Sequence, residues 1–287
     1  MRGLALSVAL IAALNGCSPK IGAGPAPAPI DQASLEANVD RLMGGGSTCV
    51  VVADTQSGRT LYQYGNAGVC MRPLPPCSTF EIAASLIGLD LGLVTPQTVF
   101  KWDRTPQPVK AWESDADLAK AFKYSITWWQ QRLAQMIGHD RYAQQLKAFD
   151  YGDADPAGPV TGFWLGPKTG GGLAISTRQQ VAFLKRFYAG QLPAKPEAVA
   201  FVRQAMFDET RTGAKGGRYV MSGKAGSCPS LADGSRSVGW WVGRLQAPNR
   251  DLLFAASIEA ADAPPGGEIA QRIKDAFADS GLWPAGS

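Results

Sequence analysis

Strand-like runs stand near both ends of this chain with helical patterns between them, and that order restricts the fold more than any other feature. Cys49-Val-Val-Val-Ala opens one extended run, and Leu61-Tyr-Gln-Tyr follows it across the turn residues Asp54-Thr-Gln-Ser-Gly. Residues 218–224, 238–245 and 252–259 form three more such runs near the C-terminus. Apolar residues at helical spacing predict helices over 31–43, 78–91, 125–137, 177–188 and 267–280. The expected fold is α/β of the α+β kind: an antiparallel sheet built from both chain ends, flanking helices, and a mainly helical lobe inserted over about 93–190.

The N-terminus sets the compartment. Residues 4–14 are an apolar run after Arg2, too short to span a bilayer, and residues 1–17 have the layout of a cleaved secretory signal. Leu14-Asn15-Gly16-Cys17 also resembles the lipobox of bacterial lipoproteins, which makes Cys17 the candidate lipidation site. Residues 18–30, rich in Pro, Ala and Gly, read as a tether, so one domain is expected over 31–287. The expected location is the periplasm of a Gram-negative bacterium, with membrane contact only through a lipid anchor on Cys17. In an oxidising compartment the four later cysteines are free to pair. A hairpin would bring Cys49 beside Cys70, leaving Cys77 with Cys228; buried free thiols are the alternative.

Composition excludes several functions. The net charge of +4 comes without a basic run or interleaved aromatics, which argues against a nucleic-acid partner. The single histidine, His139, sits in a helix-end setting, so a Ser-His-Asp triad has no base. One histidine and paired cysteines leave no metal-ligand cluster, and no cofactor-binding motif is present. A monomer and a dimer both fit the sequence.

The chemistry-bearing motifs fall in a fixed order. Ser78-Thr79-Phe80-Glu81 opens a helical pattern that continues into Ser85-Leu-Ile-Gly-Leu-Asp-Leu-Gly. Lys123-Tyr-Ser125-Ile-Thr127-Trp-Trp, Tyr151-Gly152-Asp153, Phe163-Trp164-Leu165, Gly223-Lys224-Ala225-Gly226 and Gly239-Trp-Trp-Val-Gly243 follow. The series resembles the class D serine β-lactamases and related penicillin-binding proteins from about residue 46 to the C-terminus. A literal Lys168-Thr169-Gly170 lies in a Gly-rich loop with no strand around it, so Lys224 is the better match to the family's Lys-Thr-Gly strand.

That resemblance implies roles residue by residue. Ser78 is the nucleophile, Ser125 the proton relay, and Lys224 the positive charge that meets the β-lactam carboxylate. Where the family has a lysine that takes up carbon dioxide, held by a tryptophan matched here by Trp164, this chain has Glu81. A glutamate cannot be carbamylated, and it is about three bonds shorter, so a gap of several ångströms bridged by water is expected. The backbone N–H groups of Ser78 and Ser227 form the expected oxyanion hole. Ala225 lacks the hydroxyl of the family's threonine, and Ser227, two residues along, is a candidate replacement. Arg272 reads either as the family's carboxylate-binding arginine or as an ordinary surface charge. Thr127 adds a hydroxyl beside the base, and Asp153 adds a second carboxylate whose charge would raise the pKa of one of the pair. A Cys77–Cys228 bond has an analogue in some class A enzymes and would clamp the nucleophile turn to the pocket strand. Two functions follow from the resemblance. One is a class D-like hydrolase acylated at Ser78 with impaired turnover; the other is a non-hydrolytic penicillin-binding sensor.

Overall fold

The structure is a computed structural model and describes residues 29–286. The expected signal and lipobox, with Cys17, and the tether up to residue 28 lie outside the described residues. Asp31 accepts from the Ser34 N–H at 3.0 Å and caps α1 (Gln32–Met43).

Six strands form one antiparallel sheet in the order β2-β1-β6-β5-β4-β3. β1 (Ser47–Asp54) and β2 (Thr60–Tyr64) come from the N-terminal end. β3 (Phe207–Thr212), β4 (Arg218–Pro229), β5 (Ser237–Ala247) and β6 (Arg250–Ala260) come from the C-terminal end. The two ends join where β1 runs antiparallel to β6, with Val50 opposite Ala256.

Both faces of this sheet are covered, and the two-residue period of a strand divides its side chains between two cores. Val50, Val52, Trp241 and Phe254 pack with α1 and the C-terminal helix α9 (Gly266–Asp279). Cys49, Val51, Ala53, Trp240 and Val242 point the other way, into the helical lobe. Double-sided burial is why these strands read as near-continuous apolar runs rather than as an alternation.

The lobe contains the short α2 (Ala67–Cys70), a 3-10 turn Cys77–Phe80, α3 (Glu81–Asp90), α4 (Leu118–Tyr124), α5 (Thr127–Ile137), α6 (His139–Phe149), α7 (Thr177–Tyr188) and α8 (Pro196–Ala205). α4, α6 and α8 are not among the expected helices, and two further differences bear on the site. The helix expected over 125–137 is split off from α4 by Ser125, a left-handed residue at φ 49°. The helix over 78–91 begins instead as the 3-10 turn, which puts Ser78 before α3 rather than on it.

Candidate active site

The turn that carries Ser78 follows Pro73-Leu-Pro-Pro and is tied down on several sides. Leu74 exchanges backbone hydrogen bonds with Ile175 at 3.1 and 2.8 Å, and Trp240 Nε1 donates to the Pro75 carbonyl at 2.9 Å. Cys77 adopts φ 50°, a backbone region that costs a non-glycine residue energy. It is held there by a bond to Cys228 and by its N–H donating to the Trp164 carbonyl at 3.0 Å. Thr79 Oγ1 donates to the Pro76 carbonyl and receives Gln180 Nε2 from α7, each at 2.7 Å. From Leu74 to Gly88 every residue is buried except Ser78. The turn thus offers one side chain to solvent, and it is a hydroxyl.

Three elements bring charged and hydroxyl groups to that point. Ser125 projects from the left-handed break between α4 and α5, and Lys224 from the middle of β4. Lys224 Nζ donates to Ser125 Oγ at 2.5 Å and to the Ala225 carbonyl at 3.1 Å, with the Phe122 ring 5.4 Å away. Glu81 Oε2 lies 3.2 Å from Lys224 Nζ, and both side chains are almost wholly buried. Burial pushes the Glu81 carboxyl up to about 7, although Lys224, Ser78 and Ser125 pull in the opposite direction. Such a carboxyl gives and takes a proton near neutral pH, as a general base must.

Because α3 starts at residue 81, the short side chain enters the cluster directly and pairs with Lys224. The signal available in sequence was the lysine itself, since a buried ammonium needs a counter-charge.

The edge of β4 supplies the backbone donors. β3 pairs with β4 only through residues 218–222, and the Gly223 N–H donates to the Met206 carbonyl on that side. With a period of two, the N–H groups of Ala225 and Ser227 face the same side, where β3 has ended and the Ser78 turn stands. Gly226 between them is in close contact: a Cβ there would lie 2.9 Å from the Thr79 nitrogen and 3.0 Å from that of Ser78. The backbone of Ser227 therefore sits beside the Ser78 amide, as an oxyanion hole requires.

Several expected contributors lie elsewhere. Arg272 donates to Glu268 and, at 3.1 Å, to the Leu42 carbonyl at the end of α1, so it is engaged on the opposite face of the sheet. Asp153 Oδ1 accepts the N–H groups of Asp155 and Ala174 at 3.2 and 3.1 Å; it braces a loop and adds no second carboxylate. Ala225 packs with the α9-side core, and Ser227 shares its strand face, so the Ser227 hydroxyl does not stand beside Lys224. Trp164 is buried with its ring 5.6 Å from that of Phe80, behind the nucleophile turn. Thr127 is the first residue of α5, part-exposed beside Ser125. Lys168 and Thr169 form a 3-10 turn, and His139 is exposed at the start of α6. The bonds Cys49–Cys70 and Cys77–Cys228 are both formed, with Cα separations of 5.3 and 5.6 Å.

A cavity of about 1230 Å³ is not this site. It lies at the far end of the sheet, lined among others by Thr55, Arg59, Tyr188 and Asp251. None of the groups around Ser78 reaches it.

Residues 48–279 match the penicillin binding protein transpeptidase domain, and the chain belongs to that family. It is 36% identical over 185 residues to beta-lactamase OXA-48 of Klebsiella pneumoniae, covering 64% of this chain and 65% of the relative. It is 31% identical over 230 residues to the regulatory protein BlaR1 of Bacillus licheniformis, covering 80% of this chain and 36% of that one. The chain thus spans less than two thirds of both relatives. Among solved structures, BPu1 beta-lactamase aligns with a TM-score of 0.75 at 26% identity, covering 86% of this chain and 98% of its own. The C-terminal domain of the Bacillus licheniformis BlaR penicillin-receptor aligns equally well, with a TM-score of 0.75 at 26% identity over 87% and 96%.

Proposed function

We propose that this protein recognises β-lactams by forming an acyl-enzyme on Ser78, with Glu81 as the base, and that it releases the acyl group slowly. The observation that carries this reading is the part-exposed hydroxyl of Ser78 on an otherwise buried turn, set against the buried pair Glu81–Lys224 and the half-buried Ser125. Ser78 Oγ bonds to the lactam carbonyl carbon and gives its proton to Glu81. The N–H groups of Ser78 and Ser227 hold the oxyanion. As the carbon–nitrogen bond breaks, Ser125 protonates the departing nitrogen, Lys224 restores the Ser125 proton, and Glu81 restores that of Lys224. The cluster ends with its starting charges, and Glu81 is ionised for the water that must release the acyl group.

Slow release follows from the reach of the base. Glu81 is shorter than a lysine carbamate and is drawn toward Lys224, which places it well for the Ser78 proton and less well for a water beyond the ester. No carbon dioxide takes part, because a carboxylate has no amine to carbamylate. Export to an oxidising compartment belongs to the same proposal and is supported by the two disulfides. A non-hydrolytic penicillin sensor is the second reading, favoured by the equal structural likeness to a receptor domain.

Purified protein mixed with a fluorescent penicillin and a chromogenic cephalosporin tests both readings. Turnover that Ser78→Ala abolishes supports a slow hydrolase, and lasting label on Ser78 without turnover supports the sensor. No label on Ser78 overturns both.

A further inference from the structure

The contact between α3 and α5 contains polar side chains that acylation leaves unused. Ser85 lies four residues after Glu81, on the same helical face and about 6 Å further along the axis. Gly88 continues that stripe, and a Cβ on it would come 2.8 Å from Leu133 Cδ1 of α5, so the stripe faces α5. Both helices start at the catalytic cluster, where Glu81 and Ser125 meet at Lys224 Nζ, and both run away from it. They are therefore side by side and parallel. Gln130 precedes Leu133 by three residues, as Ser85 precedes Gly88, so Ser85 and Gln130 come to one level. Thr127, three residues earlier again, comes to the level of Glu81.

Burial makes this stripe unusual. Glu81 and Gln130 are 2% exposed and Ser85 is 0%. Among the described residues, no protein group hydrogen-bonds Ser85 Oγ, either end of the Gln130 amide, or Glu81 Oε2, whose approach to Lys224 is an ion pair without hydrogen-bond alignment. The surrounding residues Ile82, Leu86, Leu133 and Ala134 are apolar and offer no partner. Buried polar atoms are nearly always satisfied, and where protein groups do not do it ordered water with two to four polar partners does. Thr127, at the start of α5, is part-exposed.

We propose that Ser85 and Gln130 bind internal water on the buried side of Glu81, admitted past Thr127, and that this water donates to Glu81 Oε2. Ser85 and Gln130 are then positioning residues: they touch no substrate and act through water on the carboxylate. Among the described residues the charged group facing Glu81 is Lys224 on β4; Ser78 and Ser125 present neutral hydroxyls. Water donating from below adds to the groups that favour the ionised carboxylate. The role in catalysis rests on Glu81 being the base, whereas the water site itself does not.

Three measurements test the proposal. A high-resolution crystal structure of the wild type should show water within hydrogen-bond distance of both Glu81 Oε2 and Gln130, and a dry interface overturns the proposal whatever the variants do. An infrared titration of the Glu81 carboxyl band should move upward by about half a unit or more in Ser85→Ala and Gln130→Met. Ser85→Thr, which keeps the hydroxyl, should restore the wild-type value. Acylation by a fluorescent penicillin should show the same upward movement of its acid limb. An unshifted band in folded variants overturns the proposal. A shifted band with an unshifted rate profile sinks the reading of Glu81 as base while leaving the water site standing.

Discussion

Replacing Glu81 by glutamine separates the cost of burying its charge from the benefit of its chemistry. The folded carboxyl titrates at about 7 against 4.5 for an unperturbed side chain, because burial penalises the anion more than Lys224 rewards it. A raised carboxyl binds its proton more tightly when folded. The stability it contributes is fully present below about pH 4.5 and is lost as pH rises through about 7. The difference of about 2.5 units corresponds to about 3 kcal/mol. Glu81→Gln mimics the protonated form at every pH and removes this slope. Urea unfolding of both proteins should show the variant gaining about 3 kcal/mol relative to wild type between about pH 4.5 and pH 8, a double difference that cancels other titrating groups. Acylation of the same variant by a fluorescent penicillin should fall by about 10²–10⁴-fold, the usual worth of a general base. A flat stability difference, or one in which glutamine loses ground as pH rises, refutes the argument. Either result would mean that Lys224 holds the Glu81 pKa at or below its ordinary value.

Two further perturbations probe the frame around the site. The Cys77–Cys228 bond spans 151 residues and Cys49–Cys70 spans 21, so chain entropy assigns about 5 and about 3 kcal/mol to them. Replacing Cys77 and Cys228 together by serine should lower the melting temperature more than the same change at Cys49 and Cys70, and it alone should slow acylation of Ser78; equal effects on acylation would dismiss the clamp. Arg272→Ala should leave the affinity for an anionic penicillin within about two-fold and cost no more than about 1 kcal/mol by urea unfolding, since its surface pair with Glu268 is weak. A ten-fold or greater loss of affinity would restore Arg272 to the pocket.

The sheet was legible because its strands are buried on both faces and read as apolar runs, and the helices because their stripes are regular. β3 escaped detection because Phe-Asp-Glu-Thr-Arg-Thr has no apolar alternation; it is a strand only because β4 offers it a ladder. The split between α4 and α5 was hidden for a related reason. Ser125 at φ 49° is a tertiary arrangement that no local propensity announces. At the site, the resemblance of the ordered motifs to class D enzymes singled out Ser78, Ser125 and Lys224, and the structure brings Ser125 and Lys224 together beside the Ser78 turn. Arg272 and Asp153 misled because spacing alone does not tell which face of α9 looks at the pocket, or whether backbone amides already occupy a carboxylate. The Glu81–Lys224 pair depends on contact between a helix start and a strand 143 positions later in the chain, which no window of sequence contains.

That pair also sets two tasks of the site against each other. On the proposed function Lys224 is the cation that meets a β-lactam carboxylate beside Ser78, and Glu81, the proposed base, lies 3.2 Å from it. When Glu81 is protonated, Lys224 presents an uncompensated charge and holds an anionic ligand well, but the base is off. When Glu81 is ionised, the base is on and Lys224 is neutralised from below. Because Glu81 titrates at about 7, both changes fall in one pH window. The non-covalent affinity for an anionic penicillin should therefore weaken as pH rises through about 7, while the acylation rate constant of the bound drug rises. Stopped-flow labelling over a range of drug concentrations separates the two quantities. Their product should pass through a shallow maximum, and in Glu81→Gln the affinity should stay tight and independent of pH. A wild-type affinity that is flat across the window while the rate constant climbs would show that Lys224 does not hold the carboxylate, and that Glu81 answers to Ser78 alone.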